Sequence, residues 1–492
     1  MRAIHITYVA TLFIALLATS TMAQKEVERA SKDGNFSLLP PDSVTKHTLS
    51  VSTQSIHYTA TAGTLELLDQ NGMRSAKVFY TAYVADEQRI DRPLTFVFNG
   101  GPGAASAYLH LGLVGPRILD FDNNDGTRPS LHDNPDSWLS FTDLVLIDPV
   151  GTGWSRAVTD NAKYYLGVEQ DAESIASFIA LYTQKNRRLP SRKYLLGESY
   201  GGFRAAKVAS ALKNTQGILM SGIVMVSPMI EGRFLGNAAD PLAQALRLPS
   251  LAAAELERKH AFDPALVKEA ERFAMTDYLV SLAGPAPQAS AGDTLYARVS
   301  ALTGIPKQQV LRSRGFIGEI YAKQAAGDGR IVSPYDAGAS VADAYPESPT
   351  TQNDDPILDG YTRAYGAAFA AYAINELGFE TAMTYTLLND DVNRKWEWNG
   401  GHGSDGRASA SAATDIRDLL SVIPQFRVRV AHGYSDILTP YGFSQYVLDH
   451  FPYALADDRV ILSLYRGGHM FYTQPTSRAA FSKDVKSFYE EK

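Results

Sequence analysis

The chain has 492 residues, of which 45% are hydrophobic, 20% charged and 10% aromatic, values that exclude fibrous, collagenous and disordered classes. A formal net charge of −7 without a basic block argues against binding a nucleic acid or an anionic membrane surface. The absence of cysteine removes disulfides, thiol catalysis and thiolate zinc sites.

The N-terminus reads as an export signal. Arg2 precedes a mostly apolar stretch from Ile6 to Ala18, and Thr21-Met22-Ala23 offers small residues where a signal peptidase reads, so cleavage after Ala23 is expected. The apolar run is shorter than the ~20 residues a membrane-spanning helix needs, so no stable insertion is expected once the signal is removed. A secreted or periplasmic location follows.

After a polar leader over residues 24–47, strand-like alternation marks Thr48 to Tyr58, Gly63 to Leu68 and Ser75 to Val84, as expected of antiparallel strands at a sheet edge. Thr95 to Phe98 and Leu144 to Ile147 are short continuous apolar runs that open into Gly-rich loops, the pattern of buried parallel strands. A helix from Val168 to Gln184, a strand at Lys193 to Leu196, a helix from Gly201 to Lys213 and a strand from Ile218 to Val226 continue the alternation. That order predicts an α/β fold with a doubly wound, mostly parallel sheet. From residue 231 to 420 the chain turns Ala-rich and helical, with loop signals at Gly284-Pro285-Ala286-Pro287 and Asn353-Asp354-Asp355-Pro356, and reads as an inserted helical cap. Strands at Arg427 to Ala431 and Arg459 to Leu464 and a helix from Ser477 to Lys492 close the fold. The catalytic unit is thus expected over 48–230 and 421–492.

Gly197-Glu198-Ser199-Tyr200-Gly201 matches the G-x-S-x-G nucleophile elbow, with a strand before it and a helix after it. Such enzymes carry an acid and then a histidine downstream, each on a loop after a late strand. Asp436 and His469 meet that requirement, so Ser199, Asp436 and His469 are the expected nucleophile, acid and base. His432 and Asp148 fit the order less well and are expected to shape loops. Amides of Tyr200 and of Gly101, in Asn99-Gly100-Gly101-Pro102-Gly103, are the expected oxyanion donors.

These segments together resemble the serine carboxypeptidase family within the α/β-hydrolase fold. The blocks are Asn99 to Gly103, Asn134-Pro135-Asp136-Ser137-Trp138, Asp148 to Ser155, Gly197 to Gly202, and the Asp436 and Gly467-Gly468-His469-Met470 segments. Leu109-His110-Leu111-Gly112 and the Ala-rich cap are similar to the bacterial branch. The resemblance implies that Asn99 and Glu198 hold the substrate's C-terminal carboxylate, with Gly100 and Met470 beside them in the binding site. Two carboxyl groups share a site only around a proton, so Glu198 should have a raised pKa. Three positions depart from the eukaryotic pattern: Val97 stands for a tryptophan, Ala104 for a cysteine, and Leu113 for a second carboxylate-binding glutamate.

The activity implied is release of C-terminal residues from peptides through an acyl-enzyme, with no metal or organic cofactor. An esterase or acyltransferase could use the same triad, and a non-catalytic secreted binding protein is a remote alternative. Asp122-Asn123-Asn124-Asp125-Gly126 has the wrong spacing for a calcium loop, with Phe121 at the first ligand position. Trp396-Glu397-Trp398 reads as packing between cap and core.

Overall fold

The computed structural model describes residues 34–490 apart from 52–53, 88–90, 122–128, 237–238, 288, 353–354 and 399–405. The expected signal segment and the Asp122 to Gly126 turn lie outside the described residues.

The centre of the molecule is a ten-stranded sheet. Its nine longer strands are β1 (Ser43–Val51), β2 (Gln54–Leu68), β3 (Arg74–Ala85), β4 (Leu94–Phe98), β5 (Asp143–Ile147), β6 (Lys193–Glu198), β7 (Gly222–Val226), β8 (Arg427–Gly433) and β9 (Val460–Tyr465). They lie in the order β1-β2-β3-β5-β4-β6-β7-β8-β9, and the two-residue strand Arg156–Ala157 pairs with β3. Pairs from β1 to β5 across β3 are antiparallel, and every pair from β5 through β9 is parallel. The alternation between Thr48 and Tyr58 is therefore a hairpin rather than one strand, and Gly63 to Leu68 continues its second arm. The first arm starts at Ser43, and Phe36 and Leu39 are already buried ahead of it.

Successive residues of the central strands face opposite sides, and both sides are covered. Phe96, Val145, Ile223 and Met225 pack with Ile175, Phe178 and Phe203 of helices α1 (Val168–Lys185) and α2 (Tyr200–Ala211). Val97, Leu146, Val224 and Val226 pack instead with Phe481, Val485 and Phe488 of the closing helix Pro475–Glu490. This two-sided burial is why the strands read as unbroken apolar runs. Without disulfides the fold rests on such burial, at about 1.5–3 kcal/mol for each fully buried large side chain.

Between β7 and β8 the chain is mainly helical, including α3 (Pro241–Arg258), a helix at Pro264–Phe273, another at Ala289–Thr303 and α4 (Pro356–Asn375). A small two-stranded sheet, Arg330–Val332 with Ser340–Ala342, interrupts it. Part of this segment has its own core around Leu248, Phe273, Tyr278 and Val310. Tyr365, Phe369 and Tyr372 of α4 instead join the core beneath β3 to β5, and Trp396 joins the opposite one. Among the described residues no helix is long and apolar enough to cross a membrane.

From β4 the chain runs to β5 on one side and then crosses to β6 on the other. Loops leaving the carboxyl ends of β4 and β6 diverge there, the position where open α/β sheets bind ligands.

Candidate active site

Ser199 sits between β6 and α2 at φ +60° and ψ −125°, a conformation that side chains other than glycine rarely adopt. The surrounding glycines make that turn sterically possible. A Cβ on Gly197 would come within 1.9 Å of the Gly201 carbonyl oxygen, and one on Gly202 within 2.6 Å of Pro228. Gly100, on the loop after β4, packs equally closely on the elbow: its Cβ would lie 2.6 Å from the Glu198 carbonyl oxygen and 2.7 Å from the amides of Tyr200 and Gly201. Arg204, buried on α2, donates to the Asn99 carbonyl oxygen and is paired through Nε with Asp171 Oδ2 at 2.6 Å, which ties the two loops to α1.

His469 Nδ1 stands 3.0 Å from Asp436 Oδ2. Both residues are buried. The amides of Leu438 and Thr439 donate to Asp436 Oδ1 at 2.9 and 3.0 Å, and the Thr439 hydroxyl lies 2.9 Å from Oδ2. Burial alone would raise the Asp436 pKa, but the charge and hydrogen bond of His469, with His432 Nδ1 3.9 Å away, outweigh it and hold the carboxyl well below the usual range. For His469 burial works downward, and the Asp436 carboxylate overcomes it to raise the pKa. His432 is fully buried, bonds Ser444 Oγ through Nε2 at 2.8 Å, and is kept neutral-leaning by burial. Asp148 accepts from the amide and hydroxyl of Ser106, both at 2.8 Å, and Asn134 Nδ2 donates to the carbonyls of Leu113 and Gly115, so these blocks shape loops.

A strap from the segment between β7 and β8 is wedged against both loops. Tyr335 accepts at its carbonyl from the His469 amide, Pro334 from Ile437, and the Ala337 amide donates to Ser435. Its fit leaves no room for a side chain at Gly468, where a Cβ would meet the Tyr335 carbonyl oxygen at 2.1 Å. The Tyr335 ring stands edge-on to the His469 imidazole, centroids 5.2 Å apart.

Ser199, His469, Asn99, Gly100, Gly101, Tyr200, Glu198 and Met470 all line one cavity of about 470 Å3, with Asp436 behind His469. Glu198 is buried in its wall. Asn99 Nδ2 donates to Glu198 Oε2 at 2.5 Å, and the Tyr472 hydroxyl lies 2.9 and 2.8 Å from the two carboxyl oxygens. Burial pushes the Glu198 pKa up to about 7, although His469 and the hydrogen bonds from Tyr472 and Asn99 pull the other way. The raised pKa expected from the sequence is therefore present, and desolvation is its main cause.

Leu113 is fully buried and does not line the cavity, whereas Ala104 does. Four residues that sequence reasoning passed over belong to the site: Tyr472, Thr439, Tyr335 and Arg247. Thr439, three residues after an aspartate, carried a local turn signal; the others are brought in by tertiary packing. Trp396 is buried and packs edge-on against Tyr200, as expected, while Trp398 reaches the cavity wall.

The serine carboxypeptidase family model matches residues 54–459. The chain belongs to the serine carboxypeptidase family. Among curated relatives it is 29% identical over 167 residues to serine carboxypeptidase-like 44 of Arabidopsis thaliana, covering 31% of this chain and 33% of that protein. It is 34% identical over 158 residues to the pheromone-processing carboxypeptidase KEX1 of Yarrowia lipolytica, covering 31% of this chain and 24% of that protein. The matched segments thus span about a third or less of these serine carboxypeptidases. The crystal structure of a prohormone-processing carboxypeptidase from Saccharomyces cerevisiae superposes over 88% of this chain and 91% of that one, with a TM-score of 0.55 at 16% identity. The fold is that of the α/β-hydrolases.

Proposed function

We propose that this protein is an exported serine-type carboxypeptidase that releases C-terminal residues from peptides. The observation that carries this reading is the protonatable Glu198, buried against Asn99 and Tyr472, on the wall of the cavity that also holds Ser199 and His469. A carboxyl that keeps its proton near neutrality can share it with a substrate carboxylate, which selects a free C-terminus.

In this reaction the Ser199 hydroxyl attacks the last peptide carbonyl while His469 takes its proton. Asp436 holds the imidazole in place and stabilises its charged form. The amides of Gly101 and Tyr200 receive the developing oxyanion. Collapse breaks the C–N bond, His469 returns the proton to the departing amine, and a free amino acid leaves. Water, deprotonated by His469, then releases the shortened peptide from Ser199. Residues 48–230 and 421–492 form the catalytic unit, with 231–420 as the inserted cap that walls the cavity.

The test compares a peptide acid with its C-terminal amide. Cleavage of the acid alone, with Ser199 labelled by an organophosphonate, is expected. Equal turnover of both, or cleavage of esters alone, would make the protein an esterase or acyltransferase. An unreactive Ser199 would leave a binding protein. N-terminal sequencing of the mature chain checks export, with Gln24 expected as the first residue.

A further inference from the structure

The cavity carries positive charge that the reaction above does not use. Arg247 and Arg407 line it, and among the described residues Glu198 is its sole acidic lining residue, although the chain as a whole is negative. Arg407 is exposed and stacks on Trp398, its guanidinium 5.2 Å from the ring. Arg247 is the more unusual of the two. It projects from α3 between the buried Leu246 and Leu248, and its guanidinium lies 5.8 Å from the Phe443 ring centroid. One of its terminal nitrogens occupies the space over Gly318, where a Cβ would come within 2.6 Å of it.

No described carboxylate forms an ion pair with Arg247, the exposed Glu319 acting on it only from beyond ion-pair distance, and its Nε is buried without an acceptor. Two neighbours show how this fold ordinarily treats such a group. Arg204 is paired with Asp171, and Arg258, on the same helix as Arg247, is paired with Glu255 at 2.6 Å. A guanidinium stays protonated in proteins, so burial without a directly paired counter-ion carries a desolvation cost that the more distant Glu319 offsets only in part. Such local violations of the pairing rule concentrate where a ligand completes the site.

We infer that Arg247 is a specificity residue that binds the side-chain carboxylate of an aspartate or glutamate next to the scissile bond. The inference rests on the carboxypeptidase reading of the cavity. The terminal carboxylate is already provided for by Asn99 and Glu198, neither of which contacts Arg247, so the anion that Arg247 receives is a second one. Met229, Leu235 and Trp398 line the same cavity and offer apolar surface to the methylenes of a glutamate side chain. A planar guanidinium suits bidentate pairing with such a group.

The experiment measures kcat/KM on matched blocked peptides containing Glu, Gln or Lys, in one series at the penultimate position and in another at the last. The wild-type protein should prefer Glu over Gln by about ten- to a hundredfold in one series, mainly through KM, and that series locates the subsite. Arg247→Met should bring the ratio near one, Arg247→Glu should favour Lys, and Arg247→Lys should keep a reduced preference. Should the variants fail to fold, the wild-type Glu-to-Gln ratio and its decline in about 0.5 M salt decide alone. A wild-type ratio near one in both series, or a preference that survives in Arg247→Met, overturns the inference. Failure to cleave any peptide, neutral ones included, sinks the carboxypeptidase reading instead.

Discussion

The ionisation of Glu198 makes a quantitative demand on substrate binding. Its pKa is pushed up to about 7 by burial, so it is protonated below that pH and loses its proton above it. If only the protonated form accepts a substrate carboxylate, affinity follows the protonated fraction, about 0.9 at pH 6, 0.1 at pH 8 and 0.01 at pH 9. The cleanest assay is the competitive inhibition constant of a product-like blocked amino acid, because kcat also carries the titration of His469. That constant should rise about tenfold from pH 6 to pH 8 and about a hundredfold by pH 9. Glu198→Gln replaces the titrating proton with a permanent amide donor. Its constant should be flat with pH and about tenfold weaker than wild type at pH 6, where a charge-assisted hydrogen bond is lost. The two curves then cross near pH 8. A blocked amino acid amide should show neither the affinity nor the slope. A flat wild-type curve from pH 6 to pH 9, or parallel weakening of acid and amide, would refute the reasoning.

Tyr472→Phe removes a donor that stabilises ionised Glu198, so the wild-type inflection should move up by about one pH unit in the same assay. Gly100→Ala drives a methyl into the Glu198 carbonyl and the Tyr200 amide; kcat/KM should fall by about 10²-fold or more, with a lower melting temperature by calorimetry. Ser199→Gly should abolish organophosphonate labelling while relieving the backbone at φ +60°, with a gain of about 1–3 kcal/mol in unfolding free energy by denaturant titration. A destabilised Ser199→Gly protein would show that the elbow stores no strain.

The central strands were legible because burial on both faces makes them continuous apolar runs, and Leu94–Phe98 and Asp143–Ile147 differ from the readings by one residue at their starts. The elbow and the order of Ser199, Asp436 and His469 were legible because each group sits where a strand ends, a position that leaves a mark in the local sequence. The hairpin at residues 43–68 was misread because alternation does not reveal where a long ribbon turns. Tyr472, Tyr335 and Arg247 were not legible for a different reason. Each acts on the site through a contact made only after distant segments pack, and a tyrosine in a 3-10 turn or an arginine on a helix gives no local sign of what it will face.

The strap at Ser333 to Ala339 alters what it would mean to re-engineer this protein. Lids on scaffolds of this kind invite replacement as if they were exchangeable modules, but here the lid lends main-chain oxygens to the very turns that carry Asp436 and His469. Grafting a foreign lid without that stretch would leave the donors at residues 437 and 469 unsatisfied and the imidazole free to tilt. Chimeras that keep it, and vary only the helices further out, offer the route to new selectivity with the His469–Asp436 contact intact.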